Sequence, residues 1–349
     1  MYVHDLDPFA IQFTETFGVR WYGLAYLAGF VFGYYAILRK AKKCASQLKP
    51  DMVADFITYL AIGVLAGGRI GYVLFYSPDL LTSMDGHFPY WGVLKVNEGG
   101  MASHGGIIGV MLVCLWYARK YKFSFSHCLD LTVFGGSLGF CFGRIANFIN
   151  GELFGREAPA GLSWAVKFPT EIYLWMQKDF GRMKSLAPVM DSVKTVHGAN
   201  GAYEVTPSLW ETWLNNYGPD PIAQQRVREI VDVIIAQIQS GNEVVKAAIE
   251  PILTPRYPSQ LIQSVLEGLL VFLVLCWIWR KPQKPGVVGG WFGVLYCLAR
   301  IAGEQFRMPD AHLGFQWLGL TRGQWLSVVF LSFSVAYLVF AYRRNAEKI

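Results

Sequence analysis

The sequence predicts an all-α polytopic membrane protein. Its seven transmembrane helices would place the N-terminus outside and the C-terminus in the cytoplasm, with an extracytoplasmic domain between helices 4 and 5. Three observations predict it. Of 349 residues, 53% are hydrophobic and only 16% charged, against about 25% charged in an ordinary soluble domain. Mean hydropathy is +0.31. Apolar stretches of about 20 residues, enough to span a bilayer, recur along the chain with basic clusters after every second one. The implied division is 1–150 (N-terminal arm and helices 1–4), 151–258 (extracytoplasmic domain) and 259–349 (helices 5–7).

Seven segments have the length and composition to span: about 17–38, 52–76, 101–118, 127–149, 259–279, 286–306 and 323–342. The sixth is the least apolar, because Arg300 and Glu304 interrupt it. Orientation follows from Lys and Arg in short loops, which stay cytoplasmic. Basic clusters follow segment one (Arg39, Lys40, Lys42, Lys43, Lys49), segment three (Arg119, Lys120, Lys122), segment five (Arg280, Lys281, Lys284) and segment seven (Arg343, Arg344, Lys348). The opposite loop 77–100 sets Lys95 against Asp79, Asp85 and Glu98. The net charge of +6 is therefore a topology signal, and nucleic acid is not an expected partner.

The stretch 151–258 is too long for a plain loop and predicts a small folded domain. Within it, Val227, Ile230, Val231, Ile234 and Ile238 recur at helical spacing over 226–239. They predict an amphipathic helix packed on the domain core or, less in keeping with an ordinary domain, on the membrane surface. Glycines in "GGRIG", "HGGIIG", "FGGSLG" and "GVVGG" lie in the apolar segments and suit close helix contact. The six cysteines form no CxxC pair, so neither a disulfide framework nor a zinc site is implied. The first charges are Asp5, Asp7 and Glu15, unlike the basic start of a cleavable signal peptide.

Charges inside spanning segments cost about 2.5–3.5 kcal/mol each and are functional candidates by default. Here they are Arg69, His104, Asp130, Arg144, Glu267, Arg300 and Glu304. The topology compares their depths. Arg144 lies ~25 Å along the outward-running segment four, and Arg300 ~21 Å along segment six, at 1.5 Å per residue. Arg69, His104, Glu304 and Arg307 fall at similar outer depth. Asp130, near the cytoplasmic end, and the deeper Glu267 read as structural. Tyr296, Arg300, Glu304 and Arg307 fit one helical face, and Arg144 with Asn147 another. Two such faces would wall a wet, basic cavity for an anionic lipid headgroup, since arginine's planar fork suits phosphate. The plainer reading is an Arg–Glu network that only holds the bundle together. Arg156, past the membrane edge, reads as a surface charge. "GGSLG" (135–139) matches the GxSxG nucleophile elbow, but that motif needs a strand-to-helix turn and here lies inside an apolar helix. No HExxH occurs, so metal hydrolysis has no support and no metal or cofactor is expected.

Those residues carry a resemblance. "GRIANFINGELFG" (143–155) resembles the signature of the prolipoprotein diacylglyceryl transferase family, and "GGMASHGGIIG" (99–109) its HGG motif. "RWYGLAYLAGF" (20–30), "GGRIGYVLFY" (67–76), "YCLARIAGEQFRMPD" (296–310) and "GQWLS" (323–327) are similar to family segments in the same order. The resemblance covers most of the chain outside about 165–250. It implies a multi-pass enzyme of the bacterial plasma (inner) membrane. Its partners would be phosphatidylglycerol, the prolipoprotein signal peptide with its lipobox cysteine, and membrane lipids. The reaction would move the sn-1,2-diacylglyceryl group to that cysteine thiol and release glycerol phosphate. Arg144 and Arg300 would hold the phosphodiester. Asn147, Asn150 and Glu152 would orient headgroup or arginines, and Tyr22 and Tyr296 would hydrogen-bond phosphate or glycerol. Arg69, Glu304 and Arg307 complete the expected substrate-binding set. His104 is the candidate base, since a histidine takes a thiol proton near neutral pH; the alternative is a helix-start histidine bonded to backbone.

Two departures stand out. Where the family has His-Pro-Ser-Gln-Leu-Tyr-Glu, this chain has "YPSQLIQ" (257–263), with Tyr257, Ile262 and Gln263 replacing histidine, tyrosine and acid. The region 165–250 is also longer than the family leads one to expect. Two rival classes stay open: a transporter or lipid scramblase using the same cavity, and an inactive receptor or assembly factor of the same fold.

Overall fold

The computed structural model describes all residues except 15–17, 44–45, 85, 87–88, 96–98, 160, 200 and 310–315. Glu15, Cys44, Asp85, Glu98 and Asp310, which entered the sequence reading, lie outside the described residues. In chain order the elements begin with β1 (Tyr2–Val3), β2 (Phe9–Gln12) and β3 (Gly18–Arg20). Four long helices follow: α1 (Trp21–Lys43), α2 (Val53–Tyr76), α3 (Ser103–Tyr121) and α4 (Phe125–Ile149). The polar stretch holds β4 (Val166–Lys167), α5 (Glu171–Lys178), α6 (Ala187–Val193), β5 (Thr195–Gly198), β6 (Gly201–Glu204), α7 (Pro207–Asn215), α8 (Pro221–Gln239), α9 (Glu243–Ile249) and β7 (Pro255–Arg256). The last helices are α10 (Ser259–Gln263), a π-helical turn (Ser264–Leu270), α11 (Val271–Ile278), α12 (Val287–Gly303) and α13 (Arg322–Arg343).

Among the described residues, five helical runs are long and apolar enough to cross a membrane: Trp21–Lys43, Pro50–Tyr76, Phe125–Ile149, Ser259–Ile278 and Arg322–Arg343. α12 is apolar but shorter, and α3 is diluted by Ser103, His104, Arg119 and Lys120 at its ends. Phe75, Phe333 and Trp277 on these helices are 66–70% exposed, which water would disfavour and lipid accepts. The protein is a multi-pass membrane protein. The first span starts later than expected because Gly18–Arg20 pairs with Phe9–Gln12 instead of joining the helix.

The chain divides into two compact units. One comprises Ala25–Phe142, Ser264–Ile301 and Gly323–Ile349. Its core includes Ile37, Phe56, Tyr117, Phe134, Leu275 and Trp279. Glycines set its helix spacing: a Cβ on Gly109 would lie 1.9 Å from the Gly63 carbonyl oxygen, and one on Gly67 2.4 Å from that of Gly105. No side chain fits between α2 and α3 at those points, so the backbones themselves touch. Ser137 of "GGSLG" is fully buried in α4 and bonds back to the Val133 carbonyl at 2.7 Å; no nucleophile elbow exists there.

The other unit comprises Met1–Leu24, Gly143–Gln263 and Ala302–Arg322. Its boundaries differ from a simple division along the chain because β1 pairs parallel with β4, which pairs antiparallel with β7. Val227, Ile230, Val231, Ile234 and Ile238 of α8 are all fully buried in its core, beside Met183, Trp210 and Ile249. The amphipathic segment is thus an ordinary core helix of this unit. Asp220 caps its start, accepting from Ile222 N–H, as an N-cap aspartate does.

Candidate functional site

In the unit holding 143–263, the signature folds as a helix end. α4 stops at Ile149, Gly151 adopts φ +63°, and the Glu152 N–H turns back to the Asn147 carbonyl at 3.1 Å. This is the reversal that a glycine past a helix end permits. It sets Glu152 over the last turn. The Asn147 amide donates to the Glu152 carboxylate at 2.8 Å and to the Tyr22 hydroxyl, and that hydroxyl donates to the same carboxylate oxygen. Tyr22, Asn147 and Glu152, all sequence candidates, are therefore one cluster. Burial pushes the Glu152 carboxyl above the usual carboxylate range. Asn150 has a buried Oδ1 with no hydrogen-bond partner among the described residues. Arg144, half-buried, lies one turn before Asn147 on α4.

The loop after Glu152 is held by a crossing of three segments. Gln260 donates to the Glu152 carbonyl at 2.7 Å and Ser259 to the Leu153 carbonyl at 3.1 Å. Gly155 N–H bonds the Tyr257 carbonyl at 3.0 Å, and Arg156 N–H bonds the Phe306 carbonyl at 2.9 Å. A Cβ at Gly155 would lie 2.3 Å from the Tyr257 oxygen and 2.7 Å from that of Phe306. The final glycine of "GELFG" is thus required by backbone proximity. Pro258-Ser259-Gln260 keeps its helix-start place despite the changed neighbours.

Two readings from sequence need correction here. Arg156 is no surface charge: half-buried, it donates from Nε to the Arg307 carbonyl at 3.0 Å and from Nη2 to the Glu304 carbonyl at 3.3 Å. A fork on main-chain carbonyls was invisible to spacing. Nor do Tyr296, Arg300, Glu304 and Arg307 share one helical face. α12 ends at Gly303, and 304–306 turn through Phe306 N–H to the Gly303 carbonyl. Glu304 is then buried, held by Arg307 at 3.2 Å and by Thr321 at 2.9 Å. Arg307 bridges Gly155.

In the unit holding 25–142, Arg300 pairs with Glu267 at 3.1 Å. Tyr296, a turn earlier, packs its ring on Phe140 and Phe292. Arg69 is 6% exposed and donates to the carbonyls of Gly92, Val93, Gly99 and Gly100. Arg69 thus ties α2 to the main chain at Gly92, Val93, Gly99 and Gly100, contacts that come in addition to the substrate-binding place the sequence expects for it. Asp130 accepts from the N–H groups of Gly286 and Gly289 at 2.6 Å each, fixing the start of α12 as its structural reading anticipated. His104 is exposed on the first turn of α3, and among the described residues no backbone or side-chain group hydrogen-bonds its ring.

Sequence reasoning missed the positions of Arg156, Gln260 and Glu267, and also Arg256. The last is buried against Glu171 at 2.6 Å and donates to the Gly155 carbonyl at 3.3 Å. Among the described residues no group of three His, Cys, Asp or Glu side chains is placed to hold a metal ion. The chemistry on offer is anion binding by arginines and proton handling by carboxylate, phenol and imidazole.

The family model described as prolipoprotein diacylglyceryl transferase matches residues 8–340. A protein of Bdellovibrio bacteriovorus named phosphatidylglycerol–prolipoprotein diacylglyceryl transferase is 48% identical over 99% of this chain and 96% of its own length. Proteins of the same name from Rhodospirillum centenum and Yersinia enterocolitica are each 34% identical. They cover 93% and 95% of this chain, and 87% and 92% of their own lengths.

Proposed function

The chain belongs to the prolipoprotein diacylglyceryl transferase family, and we infer that it transfers the sn-1,2-diacylglyceryl group of phosphatidylglycerol to the lipobox cysteine of a prolipoprotein. The observation that carries this reading is the folded signature itself: Tyr22, Asn147 and Glu152 in mutual hydrogen bonding at the end of α4, one turn beyond Arg144. The cysteine sulfur attacks the terminal carbon of the diacylglyceryl group. A C–S bond forms, the C–O bond to phosphate breaks, and glycerol phosphate leaves. A free thiol has a pKa of about 8.5, so its proton needs an acceptor. His104, exposed on the first turn of α3, takes it and returns it to the departing phosphate. Arg144 and Arg300 hold the phosphodiester charge, and the Tyr22–Asn147–Glu152 cluster orients the headgroup.

The helices α1, α2, α3, α4, α10 to α11 as one, α12 and α13 are read as seven spans, with the N-terminus outside and the C-terminus in the cytoplasm. This puts the signature at the outer face of the bacterial inner membrane, where phosphatidylglycerol and a signal-peptide cysteine meet. The test is purified protein with phosphatidylglycerol and a lipobox peptide, read as mass added to the cysteine. A diacylglyceryl adduct is expected. No adduct, with a known family member active in parallel, would favour the inactive homologue; lipid flux without an adduct would favour the transporter.

A further inference from the structure

We propose that Glu267 is a positioning residue of the transfer reaction: from a π-helical turn it fixes the guanidinium of Arg300 at the angle that meets the lipid phosphodiester. This rests on the reading above that Arg300 binds that phosphodiester.

The turn Ser264–Leu270 interrupts an otherwise α-helical run from Ser259 to Ile278. A π turn is uncommon and recurs at functional sites, because its extra residue re-aims the side chains around it. Here it is fastened to α4 at one point from two sides. Ser264 Oγ donates to the Cys141 carbonyl at 2.9 Å and lies 3.2 Å from its Sγ. Four residues on, a Cβ at Gly268 would lie 2.5 Å from the Cys141 Cα and Cβ, so glycine alone permits the contact. Glu267 sits between these anchors, fully buried, with Oε1 3.1 Å from Arg300 Nη1.

Stability alone does not account for this arrangement. A buried ion pair is often no more stable than a well-packed apolar pair of the same volume, and ionisable groups in spanning helices are costly. What such a pair does supply is direction. With Nη1 held by Glu267, the planar guanidinium cannot swing about its flexible stem, so its orientation is set before the lipid arrives. A carboxylate there also tempers the positive field. The anion is bound less tightly at rest, and the arginine stays aimed at the charge that develops on the leaving phosphate.

The test is steady-state transfer by Glu267→Gln, with phosphatidylglycerol varied and peptide fixed, beside thermal unfolding in the same detergent. The amide keeps shape and loses charge. Positioning predicts kcat down ~10-fold or more with KM for phosphatidylglycerol falling, because the site becomes more positive. A merely structural pair would lower kcat in step with the loss of folded protein and leave KM unchanged, which would overturn the proposal, as would kcat and KM within about twofold of wild type. If Glu267→Gln does not fold, Glu267→Asp, which keeps the charge but retracts the carboxylate, must show lowered kcat with its unfolding temperature retained. If neither variant folds, or Asp behaves as wild type, the positioning role is refuted. An adduct from wild type with unaltered Glu267→Gln kinetics sinks this proposal alone; no adduct from wild type sinks the reading of the site beneath it.

Discussion

Replacing Gly155 with alanine tests whether the signature loop works through a backbone crossing. The added Cβ would stand 2.3 Å from the Tyr257 carbonyl oxygen, where ordinary contact begins at 3.4 Å, a shortfall of about 1.1 Å. The blocking atoms are main-chain oxygens, so no rotamer change relieves the clash. Moving the strands apart by that amount stretches the 3.0 Å bond from Gly155 N–H to Tyr257 beyond hydrogen-bond reach and loosens the 2.9 Å bond from Arg156 to Phe306. A buried donor left unmade costs about 1–3 kcal/mol, so the cost is about 1–3 kcal/mol for the first bond and at most about 6 kcal/mol if the second also breaks. Against a typical total stability of about 5–15 kcal/mol this leaves a folded but weakened protein. The shift also displaces Glu152, whose carbonyl is tied to Gln260 in the same crossing, and a misplacement of about 1 Å can cost ~100-fold in rate. The assay is thermal unfolding in detergent beside adduct formation on a lipobox peptide, with Gly139→Ala, whose Cβ meets nothing within 4 Å, as control. A Gly155→Ala protein with wild-type unfolding temperature and rate would refute the reasoning.

Other outcomes follow from the same geometry. Arg144→Ala should abolish transfer in protein that still inserts; full activity of the purified variant would remove Arg144 from the site. Tyr22→Phe deletes one hydrogen bond to Glu152 and should lower the transfer rate about tenfold, the effect of about 1.4 kcal/mol, with little change in unfolding temperature. Because burial raises the Glu152 carboxyl, the acid limb of the pH–rate profile should lie above the ordinary glutamate range. Glu152→Gln should erase that limb and lower the plateau, and a limb unchanged in the variant would assign it elsewhere. His4 is buried between Phe148 and Phe168, and burial lowers its pKa. The folded ring refuses a proton that the unfolded chain accepts below about pH 6.5, so its stability contribution is present above that value and lost as pH falls through it. Glu152 acts in the opposite sense, so the readout is a difference: His4→Phe should lose less unfolding temperature than wild type between pH 7.5 and 5.

The sequence revealed what depends on period and composition, and concealed what depends on where backbones cross. The apolar runs, the core face of α8 and the kinship of Asn147 and Glu152 within one signature were legible, because helical spacing and a family motif both survive in one dimension; that Tyr22, from a separate segment, joins them was not. The end of α12 was not. Tyr296, Arg300, Glu304 and Arg307 fit a continuing helix, yet Gly303 lets the chain turn, and Glu304 finds Arg307 and Thr321 instead of the helix face. Arg156 was misjudged, and the backbone contacts of Arg69 went unseen, for a shared reason. Both spend their guanidinium groups on main-chain carbonyls, partners that every residue offers and no residue type announces. Glu267 is the sharper case, because its charge was noticed and its partner was not. Counting along an α-helix misplaces every side chain within and beyond a π turn, and that turn is fixed by Gly268 against Cys141, more than a hundred residues away in the chain. Charges in apolar segments can be picked out by residue type alone, while the partners they find, often main-chain carbonyls, are written in three-dimensional geometry.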